Sequence, residues 1–202
     1  MKIGEPVQIS SLPRIPWKNG GGITRNLAVE PEGSGFDEFL WRLSFAEVSG
    51  PGKFSAFPGV DRTILVWEGS GLHLHKSGGG VVSITREAEA YSFRGEDEIE
   101  ATLIDGMTID FNVMVRRDHH KADVSRYQSE TTISRSARQA FFVCSQGRFR
   151  VRFASGQEGV VGAEESLPVS DFAGGATISP DAGAATMIVV LIDALKADDA
   201  TG

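Results

Sequence analysis

The stretch 16–25 carries side chains suited to binding a small polar molecule. It reads Pro-Trp-Lys-Asn-Gly-Gly-Gly-Ile-Thr-Arg, with hydrogen-bonding groups on Trp17, Lys18, Asn19 and Thr24. A run of three glycines costs entropy on folding, so this backbone needs unusual dihedral angles or close approach by other atoms. Two interpretations stay open: a surface hairpin that Trp17 anchors to a core, or a loop and strand that face a ligand.

A phosphate-binding loop is not expected here. The order G-x-x-x-x-G-K-[ST] is absent, and Lys18 precedes the glycines instead of following them. No helical pattern follows the glycines either.

Two strand-like segments carry further polar candidates. Residues two apart in a strand lie on one face, so Asp110, Asn112 and Arg116 are expected together opposite an apolar face. Arg42 and Ser44 form a similar pair among apolar neighbours. We expect these faces to point at solvent or into the interior of a small barrel, which has room for one small ligand.

The cations suggest which ligand this would be. Arg42, Arg62 and Lys18 would suit an anion, because a guanidinium group matches a carboxylate in a planar bidentate geometry. The alternative is structural: Arg62 would then form an ion pair with Asp61 or Asp110 at a barrel rim. Clustered polar groups occur at binding sites and also in structural ion-pair networks, so both interpretations stay open.

The composition excludes several classes of function. The 202 residues carry a net charge of -7, with 41% hydrophobic and 23% charged residues, as in an ordinary globular protein. Without a basic stripe, we expect no nucleic acid partner. No apolar run is long enough to span a bilayer, so we expect no membrane partner and a cytoplasmic location.

The pattern of short apolar segments predicts an all-β protein. Gly, Pro, Ser or Asp separate segments of strand length, and few stretches have a sustained helical period. The segments are Ile23–Val29, Phe39–Val48, Thr63–Trp67, Gly71–His75, Val81–Thr85, Ile99–Ile104, Ile109–Val115, Ala140–Cys144, Arg148–Phe153 and Thr186–Ile192.

An internal repeat divides the chain in two. An ungapped offset of 77 aligns Ile64 with Phe141, and the same offset aligns Phe111 with Ile188. One offset that serves two separated regions indicates duplication. We therefore predict two small jelly-roll-like β-barrels, 1–116 with the ligand pocket and 117–202 as a structural barrel, joined near Arg117–Asp123.

Metal binding and nucleophilic catalysis have less support. His73 and His75 share a strand face, as two zinc ligands would. However, the repeat places Arg150 and Arg152 there, and the other two histidines fall in the joining segment. Cys144, the one cysteine, lies in an apolar run and is predicted to be a buried small hydrophobe.

Four segments in series resemble the HutD/Ves family. They are the run 16–25, then Trp-Arg-Leu-Ser at 41–44, Gly-Lys-Phe-Ser-Ala-Phe-Pro-Gly-Val-Asp-Arg at 52–62, and Asp-Phe-Asn-Val-Met-Val-Arg-Arg at 110–117. The resemblance implies a bicupin fold, with two small barrels in one chain. It also implies a role near histidine utilisation as a regulator or a binder of a pathway intermediate.

The favoured interpretation is an all-β bicupin that binds a small carboxylate without catalysis or a cofactor. The resemblance suggests urocanate, N-formylglutamate and formate as ligands, and a homodimer is left open. The expected ligand residues are Trp17, Lys18, Asn19, Thr24, Arg42, Ser44, Arg62, Asp110, Asn112 and Arg116. The alternatives are a metal-dependent cupin enzyme acting on a small organic acid and a structural or protein-binding module.

Overall fold

A computed structural model describes residues 1–17, 20–35 and 38–195. The described chain is almost entirely β-structure, with one 3₁₀ turn at Ile9–Ser11 and no helix long and apolar enough to cross a membrane. The strands are β1 Lys2–Ile3, β2 Val7–Gln8, β3 Ile15–Pro16, β4 Gly22–Glu30, β5 Trp41–Val48, β6 Gly52–Lys53, β7 Val60–Glu68, β8 Leu72–Lys76, β9 Val81–Ile84, β10 Tyr91–Arg94, β11 Ile99–Leu103, β12 Thr108–Arg116, β13 His120–Tyr127, β14 Thr131–Ile133, β15 Ala137–Gln146, β16 Arg148–Phe153, β17 Glu158–Gly162, β18 Glu165–Phe172, β19 Ala176–Pro180 and β20 Thr186–Ala194.

The all-β prediction is confirmed, and each predicted segment falls on an observed strand. Alternation did not single out β10, β14, β17, β18 or β19; in β18, Pro168 interrupts the pattern and Asp171 has a positive φ of 49°. It also treated the start of β13 as part of the joining segment, because the strand opens with the polar run His-Lys-Ala-Asp.

The chain divides into two compact units. The first unit is Leu12–His120, and the second contains Met1–Ser11 together with 121–195. The predicted boundary of 1–116 therefore differs at the N-terminus, because β1 pairs with β18 through Lys2 and Ser170, and β2 pairs with the same strand.

The first unit contains two hydrogen-bonded sheets. One has the order β10-β7-β12-β5-β4-β3 and the other the order β6-β11-β8-β9. Both contribute to one apolar core cluster, which contains Val48, Ile64, Val66, Leu72, Leu74, Ile84, Phe93, Ile99 and Ala101.

The second unit is built the same way. One sheet has the order β1-β18-β15-β20-β13, with β2 also paired to β18, and the other has the order β14-β19-β16-β17. Their shared core includes Phe142, Phe149, Phe153, Leu167, Phe172, Met187, Val189 and Leu191.

The two units repeat one strand order. The series β10-β7-β12-β5 corresponds to β18-β15-β20-β13, and β6-β11-β8-β9 corresponds to β14-β19-β16-β17. This repetition is what a duplication would leave, although the duplication itself stays a prediction. The predicted closed barrels do not form among the described residues, since each unit consists of two separate sheets.

The ungapped offset of 77 does not hold for every strand. Ile64 belongs to the core of the first unit, but the core of the second unit contains Phe142 and not Phe141. Side chains alternate between faces, so β7 and β15 correspond after a shift of one residue. Both sheets have register irregularities nearby, at Ile109/Asp110 and at Cys144/Gln146, and such bulges absorb a shift of this kind.

Candidate functional site

Four segments that are distant in sequence meet on the inner face of the larger sheet of the first unit. Asn112 of β12 lies between Ser44 of β5 and Ile64 of β7, and Asn26 of β4 lies beside Ser44. Ile64 is part of the core, so this row of side chains points inward. The sheet therefore assembles a polar cluster inside an otherwise apolar unit.

The neighbouring row supplies the positive charge. Met114 lies between Arg42 of β5 and Arg62 of β7 in the ladder. Arg42 and Arg62 are 5% and 7% exposed, so both guanidinium groups are largely removed from water. Together with Asp110, they are the buried charged residues in the part of the chain that the structure describes.

Arg62 sits among three phenylalanine rings. Its Cζ lies 4.9 Å from the centroid of Phe93, 5.0 Å from Phe54 and 5.6 Å from Phe57, within the range of cation–π attraction. Its Nη2 donates to Oδ1 of Asn112 at 2.9 Å, but its Nε is buried and has no hydrogen-bond partner among the described residues. Burial lowers the pKa of Arg62 to about 10, so the group stays charged at neutral pH.

Asn112 connects Arg62 to a buried acid. Its Nδ2 donates to Oδ1 of Asp110, while its Oδ1 accepts from Arg62. Burial raises the pKa of Asp110 to about 7, and the charge of Arg62 and the hydrogen bond from Asn112 oppose part of this rise. Near neutral pH the cluster therefore contains an acid that exists in both protonation states.

Arg42 is held by a neighbouring amide. Its Nε and Nη2 both donate to Oδ1 of Asn26, at 2.9 and 2.5 Å. Burial lowers the pKa of Arg42 to about 10, and its charge lowers the pKa of Arg62 in turn. Two guanidinium groups that repel each other in a buried site form a place where an anion would be stabilised.

The glycine-rich stretch forms a hairpin between β3 and β4. Nε1 of Trp17 donates to Oγ1 of Thr24 at 2.7 Å, and Trp17 packs against the core of the first unit. A side chain at Gly22 would clash with the carbonyl oxygen of Glu47 and approach the Trp17 ring to 3.0 Å, so close packing requires this glycine. The pairing of β3 with β4 and the packing of Trp17 agree with the hairpin interpretation, and the ligand-facing interpretation stays a prediction; Lys18 and Asn19 lie outside the described residues.

Arg116 has a different environment from the other predicted residues. Its Nε donates to the carbonyl oxygen of Phe39 and its Nη1 to that of Pro58, both at 3.2 Å, and its Cζ lies 5.4 Å from the Phe39 ring. These contacts anchor loops at the end of β12. The remaining predicted residues, Trp17, Thr24, Arg42, Ser44, Arg62, Asp110 and Asn112, lie on the inner face or against it.

Sequence reasoning missed Asn26 and the phenylalanines around Arg62. Strand alternation could have found Asn26, since it lies two residues from Thr24 in β4. Phe54 and Phe57 precede Arg62 within the run 52–62, but only the folded structure reveals that they contact it.

The histidines and the cysteine lie outside this cluster. His73 shares a hydrogen bond with Ser83 at 2.8 Å, and His75 shares one with Thr102 at 3.0 Å, on the face of β8 opposite Leu72 and Leu74. Among the described residues, no group of three or more His, Cys, Asp or Glu is placed to hold a metal. Cys144 is a buried free thiol, as predicted, and burial raises its pKa to about 11.

Comparisons with known proteins identify the family of the chain. The family model described as HutD matches residues 9–186. An uncharacterised 21.2 kDa protein in the hutC 3′ region of Pseudomonas putida is 32% identical over 142 residues, 70% of this chain and 74% of that protein. Protein Ves of Citrobacter koseri is 38% identical over 124 residues, 59% of this chain and 62% of its own length.

Solved structures support the same fold. HutD from Pseudomonas fluorescens SBW25, solved in a formate condition, has a TM-score of 0.83 at 24% identity and covers 96% of this chain and all (100%) of its own. A cupin 2 conserved barrel domain protein from Leptotrichia buccalis has a TM-score of 0.60 at 10% identity, covering 96% of this chain and 98% of its own. At these identities the likeness concerns the fold, which is cupin-like.

Proposed function

Because the chain belongs to the HutD family, we propose that it is a binding protein for a small carboxylate, with a regulatory role in histidine utilisation. The ligand would occupy the inner face of the first unit, next to Arg62 and Arg42. The candidates are formate, urocanate and N-formylglutamate. No catalytic step is part of the proposal.

The observation that carries the proposal is the buried guanidinium of Arg62. A buried charge is costly unless an opposite charge and hydrogen bonds complete it. Its Nη2 donates to a neutral amide and its Nη1 to the carbonyl oxygen of Ser55 at 3.5 Å, its Nε is without a partner among the described residues, and burial disfavours the ionised form of the nearby Asp110. A ligand carboxylate would supply both the charge and the acceptor.

The aromatic rings around Arg62 limit the size of the ligand. Phe54, Phe57 and Phe93 lie close to the guanidinium, so a ligand that reaches it would have to fit beside three rings, as a planar group with one or two acceptor oxygens would. A carboxylate has this shape, and the rings would strengthen its attraction to Arg62 by excluding water.

The link to histidine utilisation rests on names alone. The matching family is HutD, and the relative from Pseudomonas putida is named for its place in the hutC 3′ region. These names favour the acids that arise during histidine breakdown as the first ligands to test.

Thermal and urea unfolding with each acid test the proposal. A ligand at about 100 times its dissociation constant adds roughly 2.7 kcal/mol to the free energy of unfolding. We expect one of the three acids to do so, and we expect Asn112→Ala to abolish the effect in a protein that still folds, because Asn112 orients Arg62 and contacts Asp110.

Val189→Ala is the matched control. Val189 occupies the corresponding position of β20 in the core of the second unit, so its truncation should lower stability by about 1–3 kcal/mol and leave the ligand effect intact. If no acid stabilises the protein while a neutral sugar or a nucleotide does, the proposal is wrong. The reverse mutant pattern, with ligand stabilisation lost in Val189→Ala only, would move the site to the second unit.

A further inference from the structure

The acid next to the proposed ligand position is unusually placed. Asp110 is 2% exposed and is the acidic residue among the buried residues that the structure describes. Asn112 links it to Arg62 by hydrogen bonds, since Asn112 donates to Asp110 and accepts from Arg62. The ionised form of Asp110 is therefore stabilised by the charge of Arg62 and by the hydrogen bond from Asn112, which oppose the effect of burial.

The groups facing Asp110 are few. On neighbouring strands of its own sheet, the ladder places Ala46 and Val66 beside it, Ser44 and Ile64 in the next row of this face, and Arg42 and Arg62 in the row after that. On β4, Thr24 lies beside Ala46. The second sheet of the unit faces this region with apolar side chains, which are Leu72, Leu74, Ile99 and Ala101. Among the described residues, the two arginines thus supply the positive charge on this face.

We propose that a carboxylate ligand brings a proton into the site and that Asp110 holds it. This inference rests on the proposed carboxylate function. A ligand carboxylate beside Arg62 neutralises the positive charge that stabilises ionised Asp110. It also adds a negative charge to a site with little water. The proton comes from solvent and converts the Asp110 carboxylate to a carboxylic acid, and no covalent bond in the ligand changes.

The relay through Asn112 can accommodate this change. With Asp110 ionised, Nδ2 of Asn112 donates to it, as in this structure. With Asp110 neutral, its remaining carbonyl oxygen can still accept that hydrogen bond, so Oδ1 of Asn112 stays available to orient Arg62. The site would thus exchange one negative charge for another without losing its hydrogen bonds.

Proton uptake makes ligand binding depend on pH. Burial already raises the pKa of Asp110 to about 7 in the unliganded protein, and the ligand raises it further. Below the pKa of Asp110 in the unliganded protein, Asp110 is neutral before the ligand binds, so the affinity does not change with pH. Between the pKa of Asp110 in the unliganded protein and its pKa in the complex, the affinity falls by up to about tenfold per pH unit as pH rises.

Calorimetry with formate and N-formylglutamate as probes tests this directly. Their carboxylates remain ionised between about pH 6 and pH 8.5, so the probes do not titrate there. At about pH 8 we expect the binding heat to differ between buffers of low and high ionisation enthalpy, in proportion to nearly one proton taken up per ligand. At about pH 6 the two buffers should give the same heat.

Two variants complete the experiment. Asp110→Asn mimics the neutral acid and should bind with an affinity that no longer changes between these pH values. The control Asp105→Asn removes an exposed acid in the turn after β11 and should keep the pH dependence of the unaltered protein. The proton count is measured on the unaltered protein, so it stands even if Asp110→Asn fails to fold.

The outcomes separate the two proposals. Binding of a probe with equal heats in both buffers at pH 8 overturns proton uptake and leaves carboxylate binding in place. Uptake that persists in a folded Asp110→Asn variant assigns the proton elsewhere and also overturns the inference. If none of the three acids binds at any pH, the proposed function fails, and the inference fails with it.

Discussion

In the first unit, the inner face of β12 carries Asp110 and Asn112, whereas the corresponding positions of β20 in the second unit carry Met187 and Val189. The neighbouring strand differs in the same way. Arg62 of β7 lies beside Met114, and Ala140 of β15 lies beside Leu191. The same strand order therefore encloses a charged cluster in one unit and an apolar core in the other.

This difference indicates that the fold does not require the polar cluster. The second unit fills the equivalent space with apolar side chains, including the mutually packed rings of Phe142, Phe153 and Phe172. Burying polar groups lowers the stability of the folded state, whereas apolar side chains packed in the same space would raise it. Residues that break the local rule without a structural need are most often functional, which favours the first unit as the working one.

Introducing an acid at the apolar position should have the largest effect. In Met187→Asp, the new carboxyl would lie beside Cys144 and near Val189, without an arginine relay like that around Asp110. An uncompensated buried carboxyl belongs to the most destabilising class of substitution, so we expect a loss of at least about 4 kcal/mol or failure to fold in urea unfolding.

Met187→Leu is the control for this change, since a swap of similar volume should cost less than about 1.5 kcal/mol. A loss below about 2 kcal/mol in Met187→Asp would contradict the comparison, because it would mean that the second unit also stabilises a buried acid.

Much of this contrast could be predicted from the sequence. Alternation placed Asp110 and Asn112 on one face, and the offset of 77 aligned them with Met187 and Val189. Both inferences depend only on local periodicity and a repeat. The one-residue shift between β7 and β15 was not predictable, because a bulge changes the register without a clear signal in the residues.

Long-range contacts were also beyond sequence reasoning. The contact between Phe93 and Arg62 could not be predicted from the sequence, because it arises from the pairing of β10 with β7 in the folded sheet. The pairing of β1 and β2 with β18 likewise joins the first strands to a strand of the second half of the chain. Arg116 was placed on the correct strand, but its partners come from the loops that contain Phe39 and Pro58.

Transferring the apolar residues into the first unit should have the next largest effect. The triple variant Arg62→Ala/Asp110→Met/Asn112→Val copies Ala140, Met187 and Val189 and nearly conserves the total side-chain volume. Replacing a buried charged cluster by apolar groups of similar volume is often stabilising, so we expect a gain of about 1–4 kcal/mol above pH 7 and complete loss of ligand stabilisation.

The gain should depend on pH. Burial raises the pKa of Asp110 from the ordinary value of 3.8 to about 7 in the folded protein, so the folded state is most stable where the acid is protonated in both the folded and the unfolded state. The stability of the unaltered protein therefore falls as pH rises from about 4 to about 7, by up to roughly 4 kcal/mol for this group. The advantage of the triple variant should grow across that window, and an advantage that is constant with pH would contradict a buried titrating Asp110.

The outer faces of the two units should be almost interchangeable. His73 and His75 of β8 correspond under the offset of 77 to Arg150 and Arg152 of β16, and these arginines are exposed and form ion pairs with Glu158. We expect His73→Arg/His75→Arg to change stability by no more than about 0.5 kcal/mol, because the lost hydrogen bonds lie at the surface and Glu100 lies opposite position 75 to pair with the new charge. Urea unfolding and elemental analysis of both proteins check this. If the unaltered protein binds about one metal ion per chain and the variant binds none, the histidines are metal ligands. The two units would then differ in a metal site on β8 as well as in the cluster around Arg62.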